Sequence, residues 1–223
     1  MHKNQFTLLL TRRFLPLFIT QFLGAFNDNV FKNALVILIT YRLATLYNYN
    51  AQIMVTLAAG FFILPFFLFS ATAGQIADKY EKSHLMKIIK FFEIIIMLCA
   101  ATGFYYQSTY FLLFTLFALG TQATFFGPLK YAILPDHLHQ DELIAGNGLI
   151  EAGTFMAILL GTILGGILVM QTYGEFIISA AIILFAISGW ISSCFIPKAS
   201  LPDSSLSVNY NFIVETKKLL TYA

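Results

Sequence analysis

The 223-residue chain is 58% hydrophobic and only 11% charged, with a formal net charge of +2 and a mean hydropathy of +0.77. A soluble globular chain carries roughly twice that share of charge, so the composition excludes a water-soluble domain and points to an integral membrane protein. The two cysteines, Cys99 and Cys194, fall inside apolar runs and support neither a disulfide framework nor a metal site.

A helix that crosses the hydrocarbon core needs about 20 mostly apolar residues. Six such runs are present, near 14–42, 52–77, 85–106, 109–131, 143–170 and 175–196. The first follows Lys3, Arg12 and Arg13 and superficially resembles a secretory signal, but it is too long and contains Asp28 and Lys32, so it reads as a retained span. Lys79, Lys82, Lys87 and Lys90 follow the second run, Lys130 ends the fourth, and Lys198, Lys217 and Lys218 follow the sixth, whereas Arg42 is the lone cation near the first link. That bias puts both termini in the cytoplasm. After Pro197 the composition shifts to a Pro, Ser and Asp linker, and Phe212 to Tyr222 reads as a short amphipathic helix lying on the membrane surface. The expected organisation is a bundle over 1–197 and a cytoplasmic linker with an amphipathic segment over 198–223.

The first run contains Gln21-Phe22-Leu23-Gly24-Ala25-Phe26-Asn27-Asp28-Asn29-Val30-Phe31-Lys32-Asn33. On a helix, Gln21, Gly24, Asp28 and Lys32 form one stripe, flanked by Asn29 and Asn33. A charge near the bilayer centre costs about 3 kcal/mol on insertion scales, so it is kept where it faces protein or a watery cavity. Asp28 and Lys32 are therefore site candidates; the competing reading is that, at i and i+4, they neutralise each other and serve only packing.

Gly74-Gln75-Ile76-Ala77-Asp78-Lys79 closes the second run. Gly74 is expected to allow close helix approach, and Asp78 to cap or neutralise a helix end at the cytoplasmic rim. Lys90 and Glu93 are spaced as an i, i+3 pair inside the third run. In Gly120 to Pro135, Gly127-Pro128 is expected to break the backbone ladder, while Gln122 and Thr124 offer hydrogen bonds within the membrane. Asn147, Glu151, Thr154, Gly161 and Gly165 share a face of the fifth helix, and Gly161-Thr162-Ile163-Leu164-Gly165 is a GxxxG pattern whose plain meaning is helix contact. Glu151 is expected either to pair with a neighbouring helix or to line the cavity. His137 and His139 with Asp136, Asp141 and Glu142 read as a solvated loop with Asp141 as N-cap. The chain has no P-loop, no GxSxG and no HxxxxD pattern, so no enzymatic step, cofactor, metal or nucleic-acid partner is expected.

The GxxxDK string with its trailing lysines resembles the link between the second and third helices of the major facilitator superfamily. The stretches Gln21 to Asn29, Gly120 to Pro135 and Asn147 to Phe155 resemble the lysophospholipid transporter branch of that superfamily, which includes transporter domains fused to acyltransferase and acyl-carrier-protein synthetase domains. Essentially the whole chain takes part. Gly161 to Gly165 is similar to part of the superfamily's antiporter motif, without its proline. The resemblance implies an all-α membrane protein, the six-transmembrane-helix N-terminal bundle of the major facilitator fold. Its function would be to carry lysophospholipids such as lysophosphatidylethanolamine from the outer to the inner leaflet of a bacterial inner membrane for reacylation. It places Gly74, Asp78 and Lys79 in a gating network, and Lys90 with Glu93 is expected to be structural or gating.

The substrate site is expected from Asn27, Asp28, Asn29 and Lys32, helped by Gln122, Asn147 and Glu151. Asp28 would meet an ammonium and Lys32 a phosphate, while Phe26, Phe31, Phe125 and Phe126 would wall the acyl chain. The expected partners are the lysophospholipid, membrane lipids, and a C-terminal transporter half or an acyltransferase and acyl-carrier-protein synthetase; the chain reads as ending where a seventh span would follow. Two alternatives stay open, a transporter of drugs or small metabolites and a membrane anchor for a lipid acyltransferase.

Overall fold

The computed structural model describes residues 5–200, and these are helical with short connections. The expected linker and amphipathic segment beyond residue 200 lie outside the described residues. α1 (Leu15–Leu38) has Pro16 in its first turn, where a missing N–H costs nothing. It runs on through a π turn at Ile39–Leu43 into α2 (Ala44–Tyr47) and stops at Asn48, whose φ of 52° suits a residue that tolerates the left-handed region. α3 (Ala51–Lys79) starts at Asn50, which accepts the Ile53 N–H. α4 (Lys82–Tyr105) starts at Glu81, whose carboxylate accepts the N–H groups of Ser83 and His84. α5 (Thr109–Ala132) runs on through Gly127-Pro128, close to the expected 109–131; Pro128, having no N–H, forfeits one bond of the ladder there. A short α6 (Leu134–His137) and a 3-10 turn at Gln140–Glu142 lead into α7 (Leu143–Val169) and α8 (Gly174–Cys194). Asp141 is not the N-cap: Glu142 folds back to accept the His139 N–H and also holds Arg13.

α1 with its extension, α3, α5, α7 and α8 are long and apolar enough to cross a membrane. α4, the sixth long helix, has 24 residues and carries Lys90 and Glu93 in its interior. Large apolar side chains such as Ile53, Ile63 and Phe67 on α3 and Phe155 and Leu159 on α7 are exposed, as a lipid-facing surface requires.

Neighbouring helices follow the order α3, α5, α4, α8, α1, α7. Two features make the close pairs possible. At Gly161 and Gly165 of α7 a Cβ would lie 2.5 Å from the Phe26 carbonyl and 2.3 Å from the Val30 carbonyl of α1, and at Gly120 of α5 one would lie 2.3 Å from the Phe62 carbonyl of α3. The GxxxG pattern is therefore a helix contact. Gly74 behaves differently from expectation: a Cβ there would meet nothing within 4 Å, because α3 packs on α5 through another side.

One end of the bundle is tied by polar contacts. Arg13 reaches Glu142 at 2.6 Å and the His137 carbonyl at 3.1 Å, Lys82 reaches Asp136 at 3.0 Å, and the Ala199 N–H donates to Glu81 at 2.8 Å. At the other end Arg42 pairs with Glu175, and Tyr49 hydrogen bonds Thr109. Two apolar clusters lie between these ends, one around Phe31, Phe104 and Ile182 and one around Phe14, Met86 and Ile150. Because α3 and α7 stand at the two ends of the neighbour order, one face of the bundle is left open, with α1 and α5 at its centre.

Candidate functional site

A cavity of about 270 Å³ opens on that face. α1 contributes Gln21, Gly24, Asp28 and Asn29; α3 contributes Phe62 and Phe66; α4 contributes Lys90; α5 contributes Gln122, Phe126 and Lys130; and α7 contributes Thr154 and Ile158. Its floor is a hydrogen-bonded ion pair. The Lys90 ammonium donates to Glu93 at 2.5 Å with both side chains 1% exposed. Asn27 and Gln122 each donate to the same carboxylate at 3.2 Å, so Glu93 gathers three donors, as a buried carboxylate must. The ammonium also lies 4.9 Å from the Phe126 ring, a cation–π distance. Gly24 makes the space: a Cβ there would come within 2.2 Å of Lys90 Nζ.

Asp28 is held differently. Its Oδ1 is buried without a hydrogen-bond partner, and no salt bridge to it is found among the described residues. Lys32 does not close the i, i+4 pair; its ammonium sits 4.1 Å over the Phe62 ring and faces a neighbouring apolar recess. The two charges therefore act on each other through space without a direct ion pair, and the neutralising reading stays open beside the site reading. An unpartnered carboxylate beside a cavity is costly unless a ligand or water meets it.

The expected site residues separate. Asp28, Asn29 and Gln122 line the cavity, as does Lys90, expected only as structural or gating. Asn27 is fully buried and turned toward α4. Asn147 is exposed and donates to the Leu143 carbonyl of its own helix, outside the cavity. Glu151 accepts from Tyr131 of α5, the helix-pairing option of the two weighed for it. Phe125 stacks on Phe69 at 6.4 Å and lines a separate apolar recess. Phe26 packs edge-on against Phe185, and Phe31 is in the core against Phe104, so Phe126 is the member of the expected aromatic wall that reaches the cavity. Asp78 is exposed at the end of α3, and Lys79 lies 5.8 Å over the Tyr80 ring.

Lys130, Gln21, Thr154 and Phe62 line the cavity or its border without having been singled out for it. A signal existed: Gln122, Phe126 and Lys130 repeat at i, i+4 and i+8 on one face of α5. Gln21 is fixed across α1 and α7, accepting from Thr154 at 3.0 Å, where Gly153 leaves room for it.

The Major Facilitator Superfamily profile matches residues 17–209. The chain is 31% identical over 205 residues to the lysophospholipid transporter LplT of Serratia proteamaculans (strain 568), covering 91% of this chain and 47% of that relative. It is 31% identical over 204 residues to the lysophospholipid transporter LplT of Salmonella newport (strain SL254), covering 89% and 47%. The chain spans about half the length of these curated relatives, and no solved structure matches it. Five apolar helices long enough to span, a bundle with one open face and a profile match over most of the sequence make this chain a multi-pass membrane protein that belongs to the Major Facilitator Superfamily.

Proposed function

We propose that the chain is the N-terminal half of a transporter that moves lysophospholipids, such as lysophosphatidylethanolamine, from the outer to the inner leaflet of a bacterial inner membrane, leaving the substrate chemically unchanged. The observation that carries this reading is the cavity itself. An unpartnered carboxylate, Asp28, stands beside lysines and amides within a rim of phenylalanines. A zwitterionic headgroup supplies the ammonium that Asp28 lacks and a phosphate for the lysines, and a single acyl chain suits apolar walls. The names of the relatives add support to the substrate class.

In this reading α4 is the sixth span, the basic end faces the cytoplasm, and a second six-helix half covers the open face so that the two halves rock about the cavity. That half, and a reacylating acyltransferase or acyl-carrier-protein synthetase, are the partners this mechanism calls for. Asp78 and Lys79 at the basic end, with Gly74, would belong to the contacts that open and close there.

The test is uptake of headgroup-labelled lysophosphatidylethanolamine by spheroplasts lacking their own lysolipid transporter, with the chain present alone or joined to the C-terminal half of the Serratia proteamaculans relative. Uptake by either form that is lost in Asp28→Asn at unchanged protein level is the expected result. Uptake unaffected by Asp28→Asn removes the assigned role of Asp28, and absence of uptake from both folded forms removes the substrate assignment.

A further inference from the structure

Beside the cavity lies a second recess of about 270 Å³, and the two share one wall residue, Phe62. Apart from Lys32 the recess is apolar, lined among others by Val36, Val55, Ala59 and Leu116. Lys32 holds the Phe62 ring at 4.1 Å, so the partition between the chambers is a ring pinned by an ammonium. That ammonium has no carboxylate within 4 Å among the described residues. Asp28 acts on it from beyond ion-pair distance, so a largely desolvated cation whose direct contact is a ring has room for a closer anion.

The two chambers are also ordered along the bundle. On α1 the cavity takes residues 21–29 and the recess takes 32 and 36; α3 and α5 run the other way, with the recess at 55–63 and the cavity at 62–66 on α3, and the recess at 116 and the cavity at 122–130 on α5. All three helices place the cavity nearer the basic end and the recess nearer the opposite one. Moving along α1 from recess to cavity, Lys32 comes before Asp28, one helical turn or about 6 Å apart. A lysophosphatidylethanolamine has the same order: acyl chain, phosphate, ammonium.

Deepening the lysophospholipid reading, on which it rests, we propose that the acyl chain occupies the recess between α1 and α3. Phe62 swings aside as the gate, Lys32 leaves the ring to meet the phosphate, and Asp28 meets the ammonium. The bound lipid then points its headgroup toward the basic end, which is the polarity of the inner leaflet, so this conformation holds a substrate that has already turned over.

The test uses the full chain in membranes supplied with the C-terminal half. Palmitoyl lysophosphatidylethanolamine carrying a diazirine at its chain end is photolysed and the adducts mapped, with a diacyl phosphatidylethanolamine bearing the same group for comparison. Adducts on Val55, Ala59 or Val36 from the lysolipid, in excess over the diacyl lipid, are expected. Equal labelling by both lipids means an ordinary lipid-facing surface and overturns the proposal, as do lysolipid adducts confined to the cavity or to outer faces.

Filling the recess with Ala59→Phe supplies an independent readout. Palmitoyl uptake is expected to fall about tenfold relative to decanoyl uptake, a difference of about 1.4 kcal/mol; an unchanged chain-length profile overturns the recess. If the unsubstituted protein takes up neither lipid, the transport reading fails and this binding mode falls with it, a result distinct from uptake with an unaltered profile.

Discussion

Glu93 decides how the middle of the bundle is held, because Lys90, Asn27 and Gln122 from three helices all donate to it. Removing one partner of a buried ion pair strands the other and costs about 3–5 kcal/mol, whereas replacing both by apolar groups of similar volume is often neutral. Glu93→Leu is therefore expected to lower thermal stability in detergent strongly, and Lys90→Met combined with Glu93→Leu to restore most of it. A single variant as stable as the parent would show that the pair is not closed in the folded protein. At this scale the Lys90–Glu93 pairing was legible from its i, i+3 spacing. The turning of Asn27 away from the cavity was not, because neighbouring residues on a helix differ by 100° and only the position of α4 decides which of Asn27 and Asp28 faces the interior. Gly24 was read as one member of a polar stripe, yet its role is to admit an ammonium from another helix.

The α1–α7 pair rests on bare glycine. At Gly165 the group that a Cβ would meet at 2.3 Å is the Val30 carbonyl, main chain that cannot turn aside. Gly165→Ala must push the helices apart and is expected to destabilise by about 1–3 kcal/mol, as overpacking does. Gly148→Ala, on the same helix with nothing within 4 Å, is expected to raise stability by up to about 1 kcal/mol through helix propensity. Equal effects of the two in a thermal melt would contradict the packing. The N-terminus of α4 gives a pH-dependent counterpart. Partial burial pushes the Glu81 carboxyl up, but hydrogen bonds from the Ala199 N–H and from the hydroxyl and N–H groups at Ser83 and His84 outweigh it and leave the group below its ordinary value. A lowered carboxyl contributes stability that is present above its unfolded value of about 4.5 and lost as the pH falls through the folded one. Acidification is thus expected to release this cap before the bundle unfolds, seen as faster amide exchange at Ser83 and His84, with Glu81→Gln exchanging fast at all pH values. Helix positions were legible because apolar run length is a direct demand of the membrane. The π turn after Leu38 was not, since it is settled by packing rather than by local preference.

For the whole molecule, the decisive matter is whether α4 crosses the membrane as the proposed topology requires. Its interior charges argue against insertion one at a time, but as a closed pair they present no net charge, and the acceptor oxygens of Glu93 also serve two amides from α1 and α5. The energetic objection therefore applies to an isolated α4, and disappears once α1 and α5 are in place. Neutralisation of this kind could not be read from α4 alone, whereas the charge bias of the links could, because each link lies next to its own helix end in sequence. The exposed native cysteines, Cys99 and Cys194, would first be replaced by serine. Single cysteines would then be placed at His84 and Tyr106, exposed residues near the two ends of α4. A membrane-impermeant maleimide is expected to label Tyr106→Cys in intact spheroplasts and His84→Cys only after permeabilisation. Labelling of both from the outside, or of neither, would mean that α4 does not cross. The reverse pattern would keep six spans and invert the protein, and with it the direction in which the bound lipid is expected to point.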